Sequence, residues 1–204
     1  MRINITKNIK RAFDLVFATG VSVFALPITA ASILVVNVKS PEDPALFKQK
    51  RIGAGNKEFV IYKLRTMTNE RDENGELLPD EQRTKTWGKV IRKLSIDELP
   101  QILNILKGQM SWIGPRPLLP HEMEVLTRAE QEERQSMLPG ITGLEAIHED
   151  ESDNRREMVE FDLNYVRKWS LKMDAKIFFE TIKILLTAGR AEEELRAPKM
   201  EQLK

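Results

Sequence analysis

The chain has 204 residues, 41% hydrophobic and 31% charged, which supplies apolar material for one folded domain and excludes a disordered polyelectrolyte. Thirty-two Lys and Arg against 31 Asp and Glu leave a net charge of +1, so the basic field that nucleic-acid binding draws on is missing and no nucleic-acid partner is expected. No cysteine and only two histidines, His121 and His148, exclude a disulfide framework, a thiolate nucleophile and a Cys- or His-built metal cage, leaving carboxylates or an oxygen-liganded cation such as magnesium.

Mean hydropathy is −0.38, but residues 15–36, LVFATGVSVFALPITAASILVV, carry no charge in 22 positions. A helix of that length covers about 33 Å, enough for a hydrocarbon core of roughly 30 Å. Arg2, Lys7, Lys10 and Arg11 resemble the start of a signal peptide, yet the apolar run is longer than usual and SILVVNVKS is a poor cleavage context. Pro27 lies near the middle, where it removes a backbone hydrogen bond. Basic residues flank both ends, with Lys39, Lys48, Lys50 and Arg51 on the far side, so loop charge sets no direction across the membrane. Two topologies satisfy these observations: a kinked spanning helix, and a re-entrant hairpin that breaks at Pro27 and returns to the side it entered.

After SPEDPALF, residues 58–64 (EFVIYKL) read as a strand pairing near Phe47 in a small β-hairpin, the one clear β signal. Residues 69–83, with ENG as a turn signal, are expected to be a solvated loop or short helix. Residues 97–107 place Leu99, Ile102, Leu103 and Leu106 at helical spacing, closing at Gly108. The loop SWIGPRPLLP follows, then a charged surface helix over 121–137 stopped by Pro139 and Gly140. Residues 157–166 and 171–187 are helical and amphipathic; the second piece suits a membrane interface, or equally packing on its own domain. The last 14 residues are polar. The fold class is therefore α+β, mainly α.

Chemistry centres on the adjacent carboxylates Asp97 and Glu98. Ser95-Ile96-Asp97-Glu98 fits a capping box, but Pro100 needs a position whose N–H is unused, which favours Asp97 as the helix start. There the helix dipole keeps a carboxylate ionised and draws phosphate or its metal. Around the pair in sequence stand Lys63 and Arg65 in KLRTM, Arg92, and Arg116 held between Pro115 and Pro117. A carboxylate pair among such cations points to metal-assisted chemistry on a diphosphate. His121 and His148 have no partner in sequence. The acidic run Glu149, Asp150, Glu151 and Asp153 reads as a solvated face rather than a metal site.

The strings KRAFD, QKRIG, YKLRTM, LSIDELPQ, NILKGQMSWIGPRPLL, PGITG and DLNYVRKWS, in this order, resemble the bacterial sugar transferases. The likeness, from Lys10 to about Lys183, is to the monotopic phosphoglycosyl transferases, in particular the small single-domain PglC-like members. It implies transfer of a sugar 1-phosphate from a UDP-sugar to polyprenyl (undecaprenyl) phosphate with release of UMP, as a first membrane step ahead of downstream glycosyltransferases. By motif, Asp97 is the nucleophile that carries the phosphosugar, and Glu98 completes a dyad that also places magnesium, or manganese in its stead. Lys63, Arg65, Arg92 and Arg116 neutralise diphosphate charge, the Pro115-Arg116-Pro117 turn shapes the nucleotide side, and Lys10 and Arg11 sit at the lipid phosphate and headgroup level. The sequence departs from the pattern where Leu26 replaces a serine before Pro27 and where LEAIHEDESDNRREM follows PGITG.

The expected plan is a re-entrant membrane helix with a basic N-terminus over 1–38, a catalytic domain over 39–190 on the cytoplasmic face of the inner membrane among its lipids, and a polar tail over 191–204. Three readings compete with it: a single-displacement transferase using Asp97 and Glu98 as base or metal ligands, a non-catalytic membrane adaptor, and a tethered metal hydrolase.

Overall fold

The computed structural model describes residues 2–151 and 154–196, with side chains placed over 5–148 and 154–187. Residues Arg2–Lys39 form one long helix, α1, with Pro27 inside it. The expected break at Pro27 is thus not a helix end: helical backbone continues on both sides, and a proline needs only one carbonyl to go without its usual donor. Lys10, Asp14, Ala18 and Ala25 are buried at helical spacing and lie on one stripe, extended by Val36. The other side exposes Val16, Val23, Phe24, Leu26, Leu34, Val35 and Val38. A water-facing helix has the opposite distribution; this one turns small and charged residues to the protein and large apolar ones outward.

Both flanks of α1 fasten to the same body. Asp14 Oδ1 accepts from Ser111 Oγ at 3.0 Å and from the Trp112 N–H at 3.1 Å, while Val36 packs with Ala45, Leu64 and Ile91. Between them, Ala18 and Ala25 join Phe59, Ile61, Ile102, Ile105 and Met110 in the main core.

Strands β1 (Leu46–Ile52) and β2 (Glu58–Leu64) pair antiparallel from Leu46 opposite Leu64 to Ile52 opposite Glu58, the expected hairpin. The turn requires left-handed backbone at Gly55 (φ 66°) and Asn56 (φ 58°). The loop after β2 folds back on itself through an Arg71–Leu77 bridge, and the short helix α2 (Asp80–Arg83) returns it to Thr68, whose N–H donates to the Arg83 carbonyl at 3.0 Å.

Helix α3 (Thr86–Lys93) leads into a 3-10 turn, Ile96–Gln101, and a short α4, Ile102–Leu106. One α-helix from Asp97 is therefore not what forms. The turn begins a residue earlier, Ser95 flanks it at φ 51° without a side-chain cap, and Pro100 sits inside the tighter 3-10 winding.

A second pairing escapes the sequence reading: β3 (Ser111–Ile113) and β4 (Gly140–Thr142) run parallel. A Cβ on Gly140 would stand 2.2 Å from Gly114 N, so the two motifs GPRP and PGITG need glycine to meet. The single helix expected over 121–137 is a 3-10 turn, Pro120–Val125, followed by α5 (Arg128–Arg134). The cause is a capping box: Thr127 accepts from the Glu130 N–H and Glu130 reaches back to the Thr127 N–H. Helices α6 (Arg155–Lys168) and α7 (Leu171–Arg196) follow, α7 running past the Thr187 at which the amphipathic pattern ends and into the expected polar tail.

Candidate functional site

Strand β2 alternates faces, so Lys63 shares with Phe59 and Ile61 the side turned to the core. At its end of the strand that side meets the 3-10 turn, and Lys63 Nζ donates to Glu98 Oε1 at 2.6 Å. The turn is held beneath by Leu99 against the main core and by the buried Gln101 and Ile102. Asp97 and Glu98 consequently stand up from a floor packed on α1.

The adjacent carboxylates border different spaces. Asp97 lines a cavity of about 420 Å³ with Lys63, Arg65, Thr66, Arg83, Arg92 and Phe47 among its walls. Glu98 lines one of about 100 Å³ with Lys63, Arg51, Gln101, Arg116 and Pro117. Lys63 belongs to both. Burial and the neighbouring Glu98 charge push the Asp97 carboxyl above the usual carboxylate range, against the pull of Lys63 and Arg92. This corrects the expectation that a helix start keeps Asp97 readily ionised: it is the second residue of a 3-10 turn, where few peptide dipoles align, and desolvation outweighs them.

The cations are held by hydrogen bonds to backbone carbonyls and to neighbouring side chains. Arg92 Nε donates to Thr66 Oγ1 at 2.7 Å, an approach that depends on Gly88, where a Cβ would lie 2.0 Å from the Thr66 carbonyl oxygen. Arg65 donates from Nε to the Pro44 carbonyl at 2.9 Å and lies 6.0 Å from the Phe47 ring centroid. Arg83, on the loop expected to be a solvated excursion, donates from Nε to the Thr68 carbonyl at 2.8 Å and forms part of the Asp97 cavity. Arg51 donates to the Pro117 carbonyl at 2.9 Å and to Gln49 Oε1 at 2.7 Å. Arg116 reaches Glu145 Oε1 at 3.4 Å, and Gly140 N–H donates to the Pro115 carbonyl at 2.9 Å.

Sequence reasoning thus names Lys63, Arg65, Arg92, Asp97, Glu98, Arg116 and Pro117 as they gather here, with Pro115 held behind them, and misses Arg51 and Arg83. Arg51 stands in the quoted QKRIG string; Arg83 carries no local signal.

Lys10 and Arg11 lie elsewhere. Lys10 Nζ is buried against Asp174 Oδ2 at 2.8 Å, and Arg11 donates to the Ile105 carbonyl at 2.7 Å, closing the C-terminus of α4. Each side chain ties α1 to the domain. Pro27 is exposed on α1. His148 Nδ1 donates to the Leu144 carbonyl at 2.8 Å and the ring stacks on Phe161, a packing role. Side chains of the acidic run 149–153 lie outside the described residues. Among the described residues no three His, Asp or Glu side chains cluster as a metal cage. The two carboxylates fit only a cation that takes its remaining oxygens from water and substrate phosphate, as magnesium does.

A family model described as bacterial sugar transferase matches residues 5–188. The uncharacterized sugar transferase EpsL of Bacillus subtilis is 44% identical over 182 residues, 89% of either chain. A UDP-glucose:undecaprenyl-phosphate glucose-1-phosphate transferase of Caulobacter vibrioides is 36% identical over 191 residues, 89% of this chain and 71% of its own. A UDP-N-acetylgalactosamine-undecaprenyl-phosphate N-acetylgalactosaminephosphotransferase of Aeromonas hydrophila is 37% identical over 192 residues, 88% of this chain but 44% of its own.

Proposed function

The chain belongs to the bacterial sugar transferases, and from that premise we propose that it transfers a sugar 1-phosphate from a UDP-sugar to undecaprenyl phosphate through a covalent intermediate on Asp97. The observation that carries this reading is the acidic dyad raised between two cation-lined cavities with Lys63 shared by both. A diphosphate needs several fixed positive charges around the phosphorus under attack, and a nucleophile kept out of bulk water.

In the first step an Asp97 oxygen bonds to the β-phosphorus. The bond from that phosphorus to the bridging oxygen breaks, and the electron pair leaves on UMP. In the second an oxygen of the lipid phosphate bonds to the same phosphorus, and the Asp97–phosphorus bond breaks, freeing the carboxylate. Arg65, Arg83 and Arg92 offset charge on the Asp97 side, and Arg51 and Arg116 on the Glu98 side. Lys63 and Glu98 hold one another, while burial and the Glu98 charge raise the pKa of the Asp97 carboxyl against the pull of Lys63 and Arg92. Magnesium, or manganese in its place, would be held by Asp97 and Glu98 and would offset phosphate charge as a Lewis acid.

One cycle split into two displacements lets a single site serve a soluble donor and a membrane acceptor. The outward apolar face of α1, with both flanks fastened to one body, supports a re-entrant placement in the cytoplasmic membrane with the domain on the cytoplasmic face. The exposed Phe179, Ile182, Leu185 and Leu186 of α7 support an interfacial role for that helix.

The test is a panel of UDP-sugars with undecaprenyl phosphate in detergent, read as UMP release, together with donor labelled in the sugar phosphate and supplied alone. Transfer of label to the protein without acceptor is expected. Turnover without any labelled protein would favour single displacement, and silence across the panel would remove the transferase reading.

A further inference from the structure

Arg116 stands between two prolines, so its amide is the one backbone N–H in the tripeptide. Each polar backbone group of this turn has a partner. Gly140 holds the Pro115 carbonyl, Arg51 holds the Pro117 carbonyl, and both groups of Arg116 itself go to a single ion pair. The Arg116 N–H lies 3.2 and 3.3 Å from the two carboxylate oxygens of Asp162. Arg134 donates from Nε to Asp162 Oδ2 at 3.1 Å, and its Nη2 donates both to that oxygen and to the Arg116 carbonyl.

This pair joins α5 to α6 with side chains 0% and 2% exposed, and neither residue lines the cavities beside the dyad. Stability alone does not call for an ion pair here. A buried ion pair replaced by apolar groups of similar volume often leaves stability equal or higher. What apolar groups cannot do is donate to one backbone carbonyl and accept from the adjoining N–H. With the backbone pinned on both sides and Arg116 Nη1 lying 3.4 Å from Glu145 Oε1, less freedom is lost when the side chain grips an anion.

We propose that Arg134 and Asp162 are positioning residues for Arg116, acting on donor binding through the turn and not by touching the donor; the proposal rests on Arg116 as a ligand of the donor diphosphate. The test exchanges the pair as a unit in the full-length enzyme. Arg134→Met/Asp162→Leu removes both grips; Arg134→Met/Asp162→Asn keeps an oxygen for the Arg116 N–H. Donor KM, kcat and Tm are measured for both, and again in an Arg116→Ala background. The first exchange is expected to lower Tm by no more than a few degrees and raise donor KM about tenfold or more, the second to recover most of that KM loss, and neither to raise KM further once Arg116 is alanine. Wild-type donor KM in the Leu exchange, or an equal loss in the Arg116→Ala background, would overturn the proposal. Should the Leu exchange fail to fold, Arg134→Lys keeps the charge but not the fork and is expected to raise donor KM by itself; an unchanged KM there would also overturn it. A wild-type donor KM in Arg116→Ala alone, with turnover intact, would remove the diphosphate role of Arg116 and this proposal with it, while leaving the transferase reading standing.

Discussion

Lys63 and Glu98 lie 35 positions apart in sequence and join strand β2 to the dyad turn by a hydrogen bond of 2.6 Å. The ammonium also pulls the Asp97 pKa down, favouring the ionised carboxylate, so it acts on both carboxylates. Lys63→Met is expected to cost about 10²–10³ in kcat/KM. It also takes away an influence that lowers the Asp97 pKa, so the acid limb of the kcat/KM profile should move to higher pH. An acid limb that stays in place would show that Asp97 does not govern it.

Asp97→Asn should lower turnover by at least about 10³ while stabilising the fold near neutral pH. The sign follows from the raised carboxyl. The folded state holds the Asp97 proton more tightly than the unfolded chain, so the stability Asp97 contributes is present below its unfolded pKa and is lost as pH rises through the folded one. Asparagine has no such loss. Tm of the variant is expected to exceed the wild type at pH 7 and to approach it near pH 3; a lower Tm at pH 7 would contradict the placement of Asp97.

Chelation should silence the enzyme, and magnesium should restore it, with manganese as a weaker substitute. The two-carboxylate site can complete a coordination sphere only with substrate oxygens, so donor should tighten metal binding when both are titrated. Full activity after exhaustive chelation would assign the whole charge balance to the Lys and Arg side chains.

The topology of α1 can be read by labelling, since the chain has no native cysteine. Asn4→Cys and Glu42→Cys, probed in intact cells with a membrane-impermeant thiol reagent, should both stay unlabelled until the membrane is opened. Labelling of the first alone in intact cells would mean a spanning helix. Pro27→Leu is expected to shift molecules toward that form and to reduce activity.

Much of this was legible because it is local. The uncharged run announces α1, the EFVIYKL alternation puts Lys63 inward, and the carboxylates and their cations carry their chemistry in their residue types. What was not legible depends on contacts distant in sequence. Arg134 looks like one more charge on a solvated helix and is instead wholly buried, because Asp162 meets it from α6. Arg83 reaches the cavity only because its loop returns to Thr68. Strands β3 and β4, three residues each, are too short for periodicity to register. The split of 121–137 had a local sign, the Thr127 and Glu130 spacing, outweighed by the length of the polar run.

The double fastening of α1 sets the height of the reaction. Asp14 and Val36 are tied to the body that carries Asp97, so with α1 in the bilayer this carboxyl has no slack with which to rise toward the cytosol or sink toward the acyl chains. A partner phosphate borne on a lipid must then arrive sideways, within the plane of the leaflet. On the proposed double displacement, the second half-reaction is then expected to obey surface density: its rate should follow the mole fraction of acceptor in the membrane and stay constant when vesicles of the same composition are simply diluted.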